Sequence, residues 1–344
     1  MSDNEKQAIQ FDVVGIGNAM VDILAYTNDD FLTKSGLIRG ATTLIDEKKA
    51  AELYKKMGTA TECSGGSVAN SMAGIASLGG VVAYIGKVAN DQLGDTFRHD
   101  MKTLKVNFTT KPLEGGASTA SCLVLVTNEE KVQGTKEIMK AERTMATFLG
   151  ACRSLTEADI DEEIIKNSKI TYLEGYLWDV EAAKKAINKA IEIAHANNRK
   201  VAFSLSDPFC VERHREAFMN LLKNNIDILF ANETEIKSLF REKDLRMILP
   251  QLKGICEIAV VTRSDKGSII ITKDEIHNIE AVKVAEVYDV TGAGDLYASG
   301  FLYGLVKGFD LAKCGKLAGL AAAEVIKYLG ARPLAKLTDL LKLL

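Results

Sequence analysis

The chain has 344 residues, more than the roughly 250–300 at which one hydrophobic core stops growing, so we expect one large domain with a smaller addition. A hydrophobic fraction of 47% and a charged fraction of 26% are ordinary for a soluble globular protein. The net charge of −3 gives no reason to expect a nucleic-acid or acidic-lipid partner.

The sequence gives no indication of export or of a membrane segment. The N-terminal segment Met1–Gln10 is polar and mixed in charge, unlike a signal peptide, and no apolar run approaches the roughly 18–20 residues of a membrane helix. The six cysteines have no CxxC spacing, which is typical of reduced thiols. The four histidines form no HExxH motif, which argues against a zinc enzyme. We therefore predict a cytoplasmic protein.

Apolar, β-branched runs alternate with helical patterns along most of the chain. The first set of predicted strands is Val13–Gly17, Val81–Gly86, Ile170–Leu173, Val201–Leu205, Ile226–Phe230 and Ile258–Thr262. Between two of them, the segment Glu181–Ala196 repeats its apolar residues at the helical period. Nearly continuous apolar strands separated by helices predict a parallel sheet covered on both faces, that is, a doubly wound α/β domain.

Two stretches interrupt this alternation and predict a second, smaller sheet. The first contains the strand-like segments Val21–Tyr26 and Ala41–Ile45, and the second is Val106–Thr127. Neither has room for a crossover helix, so their strands are expected to form a small lid over the main sheet. This divides the chain into a large domain of residues 1–17, 46–105 and 142–344 and a β lid of residues 18–45 and 106–141.

The strongest chemical signal is the run Asp289–Asp295, which reads DVTGAGD and precedes a helical pattern ending near Leu305. Two glycines in a first helical turn cost about 1 kcal/mol each relative to alanine, so some compensation is expected. Free N–H groups of Gly292, Ala293 and Gly294 can bind an anion at the helix N-terminus, and Asp295 can accept a proton from an attacking hydroxyl. Close helix packing explains the motif equally well at this point.

A second glycine turn opens the predicted helix Ser67–Leu78. Gly65 and Gly66 allow the backbone to approach a ligand closely, and Asn70 offers the donor and acceptor that sugar hydroxyls need. A plain turn with Ser67 as the N-cap is the simpler explanation. Asp22 stands inside an apolar strand, where either substrate hydroxyls or a half-exposed sheet edge would satisfy it.

Of four further features, three allow two explanations each. Asn232 and Glu235 follow a strand with capping-box spacing, and they also suit water-mediated Mg²⁺ binding. The segment Thr262–Gly267 is at least a polar hairpin turn. Arg143 can face phosphates or cover the surface, and Phe209 can stack on a ring or pack in the core.

Three common motifs are absent or incomplete. The sequence has no GxxxxGK[ST] P-loop, which excludes a Walker NTPase, and no GxSxG elbow, which disfavours an α/β hydrolase. The run Gly15–Met20 begins as a dinucleotide fingerprint but has Met20 in place of the third glycine. A Rossmann oxidoreductase is therefore only a weak alternative.

Taken in order, these elements resemble the ribokinase-like (PfkB) family of carbohydrate and nucleoside kinases. The matching residues are Gly15–Asn18, Asp22, Gly65–Asn70, Asn232–Glu235 and Asp289–Asp295, and the resemblance spans nearly the whole chain. It implies a three-layer αβα domain with a mostly parallel central sheet, a small β lid, and ATP-dependent phosphorylation of a sugar hydroxyl. Ser67, Arg143–Met145 and Leu205–Phe209 are similar to the family's adenosine kinase branch.

The resemblance also implies roles for single residues. The implied catalytic residues are Asp295 as the base, Gly292, Ala293 and Gly294 as the anion hole, and Arg143 facing the phosphoryl group. The implied acceptor-binding residues are Asn18, Asp22, Gly65, Gly66, Ser67, Asn70 and Phe209. The implied ATP-binding residues are Asn232, Thr262, Gly267 and Thr291. For metals, Glu235 and Asn232 would hold Mg²⁺ through water, and Asp289 would hold a monovalent cation such as K⁺.

The resemblance implies an ATP- and Mg²⁺-dependent kinase that phosphorylates the 5′-hydroxyl of a nucleoside. Adenosine is the favoured acceptor and AMP the product, and the protein is expected to act as a monomer or dimer. A free sugar such as ribose or fructose, or another nucleoside, is the alternative acceptor. A non-catalytic nucleotide or sugar sensor is the alternative from a different functional class.

Overall fold

A computed structural model describes residues 9–127, 130–131, 138–139 and 142–344 of the chain. The strands are β1 (Phe11–Ile16), β2 (Met20–Thr27), β3 (Thr42–Leu44), β4 (Ala60–Gly65), β5 (Val82–Ile85), β6 (Val106–Phe108), β7 (Ala120–Thr127), β8 (Glu130–Lys131), β9 (Ile138–Met139), β10 (Glu142–Phe148), β11 (Ser168–Glu174), β12 (Lys200–Ser204), β13 (Ile228–Asn232), β14 (Ile258–Thr262), β15 (Ser268–Ile271) and β16 (Ile276–Ile279). The helices are α1 (Asp29–Lys34), α2 (Glu47–Lys56), α3 (Ser67–Ser77), α4 (Gln92–Thr103), α5 (Glu162–Lys166), α6 (Glu181–Ala196), α7 (Pro208–Asn224), α8 (Glu233–Phe240), α9 (Leu245–Leu252), α10 (Ala293–Val306) and α11 (Leu311–Val325).

The large sheet has nine strands in the order β16-β15-β14-β13-β12-β11-β1-β5-β6. The seven strands from β14 to β6 run parallel, while β15 and β16 pair antiparallel at one edge. All six residues of β1 are buried, as expected for a parallel strand covered on both faces. The predicted mostly parallel sheet is confirmed, and β1 is an internal strand between β11 and β5.

Helices cover both faces of the large sheet, which gives the predicted three layers. On one face α3, α4, α10 and α11 pack against side chains such as Val13 and Tyr84. On the other face α5 to α9 pack against side chains such as Val14 and Phe203. The helix predicted from the periodicity of residues 181–196 has the same bounds in α6. Among the described helices, none combines the length and apolar character needed to cross a bilayer.

The predicted second sheet is present, with five strands in the order β3-β10-β7-β2-β4; we call it the small sheet. Its membership differs from the predicted lid in three places. Strands β4 and β10 belong to it, although both were assigned to the large domain, and β6 instead pairs with β5 at the edge of the large sheet. Phe108 in β6 packs 5.7 Å from Tyr84 and 5.3 Å from Phe97, measured between ring centroids, and these contacts hold β6 there.

The division into two domains stays a prediction, and most of residues 128–141 of the predicted lid lie outside the described residues.

One alternative for Asp22 is wrong: its strand β2 lies between β7 and β4 inside the small sheet and is not an edge strand. An internal strand gives its carboxylate no edge to open onto. The small sheet also joins the large fold directly, because β4 ends at Gly65 and α3 begins two residues later.

Candidate active site

The start of α10 separates the two explanations of the DVTGAGD run. Gly292 has a φ of +77°, and a Cβ there would lie 2.7 Å from Ala331 Cα, so close packing requires this glycine. Gly294 is exposed, and a Cβ there would meet nothing within 4 Å. Packing therefore does not explain Gly294. An open glycine backbone at a helix N-terminus instead suits an anion.

Asp295, in the first turn of α10, is held by the first turn of α3. Ser67 Oγ donates to Asp295 Oδ1 at 2.7 Å, and Asn70 Nδ2 donates to Oδ2 at 2.9 Å. Ser67 is not the N-cap, a position that Gly66 occupies. Burial raises the pKa of Asp295, while the bonds from Asn70 and Ser67 and the charge of Arg332 oppose that rise. The result is a fixed carboxylate that is a better proton acceptor than a free one.

The side-chain oxygen of Asn70 makes no hydrogen bond to Asp295. This atom, Oδ1, is buried and has no hydrogen-bond partner among the described residues. Because a buried unpaired acceptor is costly, this oxygen fits a ligand whose hydroxyl donates a hydrogen bond to it. Asn70 therefore orients Asp295 through its nitrogen, and its oxygen is able to accept a hydrogen bond from a bound ligand.

Asp22 faces the glycine turn from the small sheet. A Cβ on Gly65 would lie 2.4 Å from Asp22 Oδ2, and a Cβ on Gly66 would lie 2.2 Å from Asn18 O. Burial raises the pKa of Asp22 to about 6, with the charge of Asp295 adding to the rise and Arg332 and Arg143 opposing it. Gly66 is thus required by its φ of +98° and by the nearby backbone, and a side chain at Gly65 would displace the Asp22 carboxylate. Asp22 and Asp295 are close enough for the charge of one to act on the other.

Glu174, at the end of β11, is a site residue that the sequence analysis missed. It is 1% exposed, accepts the Asn18 N–H at 2.9 Å, and accepts the Val68 N–H at 3.1 Å. Burial raises its pKa to about 7 despite these bonds. Glu174 therefore ties the end of β1 to the start of α3. A carboxylate directly after the predicted strand Ile170–Leu173 was a usable signal.

Arg332 is the second missed residue, in the irregular segment after α11. Its Nε donates to Ser64 O at 2.9 Å, Nη1 donates to Ala69 O at 2.7 Å, and Nη2 donates to Ser64 Oγ at 3.1 Å. Burial lowers the pKa of its guanidinium, and the charges of Cys63, Asp22, Asp100 and Asp295 oppose this. No periodicity or spacing marked this arginine.

Arg143, on strand β10, reaches from the small sheet to the run that precedes α10. Its Nη1 lies 2.9 Å from Asp289 Oδ2 and also donates to Thr291 Oγ1. Asp289 in addition accepts the Thr291 N–H at 3.0 Å and the Gly330 N–H at 2.8 Å. Because a guanidinium already occupies this carboxylate, the arrangement does not fit the monovalent cation expected at Asp289. It does place a cation beside the Gly292–Gly294 turn.

Asn232 and Glu235 form the capping box that their spacing predicts. Asn232 Oδ1 accepts the Glu235 N–H at 2.8 Å, and Glu235 Oε2 accepts the Asn232 N–H at 2.9 Å. Burial raises the pKa of Glu235 to about 7, with the charge of Asp207 adding to the rise. In the described part of the chain, no three potential ligands cluster as a metal cage. The oxygen atoms of Glu235 and Asn232 still fit a hydrated Mg²⁺, which retains several of its waters and needs few protein ligands.

The remaining predicted residues lie at or shortly after the carboxyl ends of strands β12 and β14. Thr262 is paired with Asn232 across β14 and β13. Gly267 has a φ of +77°, and a Cβ there would lie 1.9 Å from Ile279 O, so only glycine fits this turn. Phe209 is 71% exposed at the second position of α7, so core packing does not explain it. Its proposed stacking on a base stays a prediction.

The fold and the site can be compared with those of known protein families and solved structures. The model of the pfkB family carbohydrate kinases matches residues 40–337. An adenosine kinase from Sinorhizobium meliloti is 45% identical with a TM-score of 0.88, over 97% of this chain and 99% of that one. A probable sugar kinase from Rhizobium etli CFN 42 is 43% identical with a TM-score of 0.88, over 97% of this chain and 98% of that one. Adenosine kinase 2 of Arabidopsis thaliana is 25% identical over 91% of this chain and 93% of its own length.

The chain therefore belongs to the pfkB family of carbohydrate kinases. It is a phosphotransferase that acts on a hydroxyl group and resembles adenosine kinases. It is neither the oxidoreductase nor the non-catalytic sensor kept as alternatives. Membership of this kinase family implies the use of ATP and usually of a divalent metal.

Proposed function

We propose that this kinase transfers the γ-phosphoryl group of ATP to the 5′-hydroxyl of adenosine, giving AMP and ADP. The observation that carries the choice of acceptor is an apolar patch on the same face of the small sheet as Asp22. It contains buried Cys122, Val124 and Val126, with Met20, Leu24, Met145 and Leu329 packed against them. A free sugar has little apolar surface to bury against such a patch, whereas a nucleoside base does.

The alternation of side chains along β2 puts sugar and base recognition side by side. Met20, Asp22 and Leu24 share one face of the strand, and Cys122 is the direct neighbour of Asp22 on β7. A nucleoside placed there would rest its base on the apolar patch and its ribose hydroxyls on Asp22 and Asn70 Oδ1. This arrangement supports a nucleoside over ribose alone.

In the proposed reaction, one oxygen–phosphorus bond forms and another breaks. The 5′-oxygen bonds to the γ-phosphorus, its proton passes to Asp295, and ADP leaves as the bond to the bridging oxygen breaks. Ser67 and Asn70 keep Asp295 aimed at that proton. The N–H groups of the Gly292–Gly294 turn and the charge of Arg143 stabilise the transferring phosphoryl group.

We assign the nucleotide to the edge formed by Asn232, Thr262, Gly267 and Thr291. Mg²⁺ would be held through water by Glu235 and Asn232, and when bound it would neutralise charge on the phosphate oxygens. The six free cysteines support the prediction of a cytoplasmic protein. We also keep the predictions of a monomer or dimer and of no nucleic-acid or membrane partner.

The proposal is tested with a panel of acceptors in an assay that measures ADP release. We expect adenosine to give the highest kcat/KM, other nucleosides to follow, and free ribose and fructose to be the poorest. The Met145→Ser variant, which removes apolar surface from the patch, should raise the KM for adenosine and leave the KM for ATP unchanged. A preference of the wild-type enzyme for a free sugar would overturn the choice of acceptor.

A free-sugar acceptor is the second candidate. Its support is the 43% identity to the probable sugar kinase from Rhizobium etli CFN 42, nearly the identity to the adenosine kinase from Sinorhizobium meliloti. The same panel of acceptors distinguishes the two candidates. Both candidates use Asp295 in the same way, and they differ only in whether a base covers the apolar patch.

A further inference from the structure

Arg332 joins two sides of the Gly65–Gly66 turn from a distant part of the chain. Its bonds reach Ser64 O, before the turn, and Ala69 O, after it. Asp100 Oδ2 of α4 accepts the Ser64 N–H at 2.7 Å, so Ser64 is held from both sides. One planar guanidinium thus fixes how β4 leaves the small sheet and how α3 enters the large fold.

The same guanidinium acts electrostatically on two carboxylates that it does not hydrogen-bond. Its charge lowers the pKa of Asp22 and of Asp295, against the burial that raises both. Arg143 adds to this effect at Asp22. Loss of the Arg332 charge would therefore raise both pKa values further, so each carboxylate would become protonated at a higher pH than in the wild type.

Other groups also face these carboxylates and set the background for any change. From α3, Ser67 and Asn70 donate to Asp295, and from β11 Tyr172 and Glu174 lie close enough to interact with it. Around Asp22, the neighbouring strands contribute Cys63 and Cys122. Arg332 and, at Asp22, Arg143 are the cations that lower these carboxylate pKa values.

We propose that Arg332 is a positioning residue for phosphoryl transfer, which holds the Gly65–Gly66 turn in place for the acceptor and sets its positive charge against Asp22 and Asp295. The proposal rests on the proposed function, because it uses Asp22 as the acceptor contact and Asp295 as the base. It assigns no contact between Arg332 and the substrate. Its two parts, geometry and charge, are separable by substitution.

Three variants separate them: Arg332→Met removes both parts, Arg332→Lys keeps only the charge, and Arg199→Met is the control. Arg199 also donates to a backbone carbonyl, Lys166 O at 2.8 Å, but it lies just before the amino end of β12, whereas Glu174 of the site lies at the carboxyl end of β11. Each variant is purified, its melting temperature is measured, and kcat/KM for adenosine is followed from pH 5.5 to 9. The KM values for adenosine and ATP are measured at pH 8.

For Arg332→Met, we expect the KM for adenosine to rise roughly tenfold, as lost bonds to a charged group imply, while the KM for ATP stays unchanged. The acid limb of kcat/KM should move to higher pH, so the loss is larger at pH 6 than at pH 8. Arg332→Lys should restore the acid limb but not the KM for adenosine. Arg199→Met should match the wild type in all three measurements.

A folded Arg332→Met enzyme with the wild-type acid limb and the wild-type KM for adenosine would overturn the proposal. A Lys variant that leaves the acid limb displaced would overturn the charge part. If neither variant folds while Arg199→Met does, Arg332 is structural only and the proposal is wrong. Failure of the wild-type enzyme to phosphorylate adenosine would instead overturn the proposed function, so the two failures are distinguishable.

Discussion

At the scale of single residues, Asp295 is held in place by hydrogen bonds from Ser67 and Asn70. Its role as the proton acceptor can therefore be tested by a substitution that preserves its shape. Asp295→Asn keeps the size of the side chain and its acceptor oxygen for Ser67 or Asn70, but removes the base. We expect kcat to fall roughly 100-fold or more, the usual contribution of a general base, with an unchanged melting temperature. The control is Asp339→Asn, an exposed carboxylate near the C-terminus. Wild-type kcat in a folded Asp295→Asn enzyme would rule out this base.

Asp22 should affect the acceptor and not the nucleotide. Its carboxylate lies beside Gly65 on the small sheet, whereas Asn232 and Thr262 end strands of the large sheet. We expect Asp22→Asn to raise the KM for adenosine roughly tenfold, through the lost charge-assisted bond to a hydroxyl, and to leave the KM for ATP unchanged. Steady-state kinetics with each substrate varied in turn measures this split. A change confined to the KM for ATP would place Asp22 in the other half of the site.

At the scale of elements, the small sheet is expected to close over a bound acceptor. It carries Asp22 on β2 and Arg143 on β10, whereas Asp295 belongs to α10 on the large fold. Closure would exclude water, which otherwise competes for the phosphoryl group. Hydrogen exchange should therefore show that adenosine protects the amides of β2 and β7 more than ATP does. The contrary result is equal protection by ATP alone.

The contact between Arg143 and Asp289 predicts independence from monovalent cations. A guanidinium 2.9 Å from Asp289 Oδ2 supplies the positive charge that a bound K⁺ would bring. Replacing KCl with tetramethylammonium chloride at constant ionic strength should leave kcat unchanged. A strong activation by K⁺ would show that Arg143 leaves Asp289 during turnover.

At the scale of the whole molecule, buried carboxylates make stability depend on pH. Burial raises the pKa of Glu174 and of Glu235 to about 7 and that of Asp22 to about 6, above their unfolded values of about 4. Between about pH 4 and 7 the folded state binds more protons than the unfolded state, so stability falls as pH rises. The melting temperature should be higher at pH 6 than at pH 8, and Glu174→Gln should reduce that difference. A melting temperature that rises from pH 6 to pH 8 would contradict these pKa directions.

The sequence predicted what depends on local pattern. The periodic segment of α6 and the apolar strand β14 have the predicted bounds, and the glycine turns lie where the spacing put them. Strand β4 was missed because Ala60–Gly65 contains no large apolar residue and shows no apolar alternation. Arg332 was missed because its importance arises from tertiary contacts with residues more than 260 positions away, and no local pattern encodes such contacts.

The central claim is that Asp295 accepts the proton of an adenosine 5′-hydroxyl as that oxygen takes the γ-phosphoryl group. The most direct measurement follows the label from [γ-³²P]ATP with adenosine or 5′-deoxyadenosine, using the wild-type and Asp295→Asn enzymes. We predict labelled AMP from the wild type with adenosine, none with 5′-deoxyadenosine, and strongly reduced labelling with Asp295→Asn. Label in inorganic phosphate instead of AMP, or equal AMP formation by Asp295→Asn, would contradict the account.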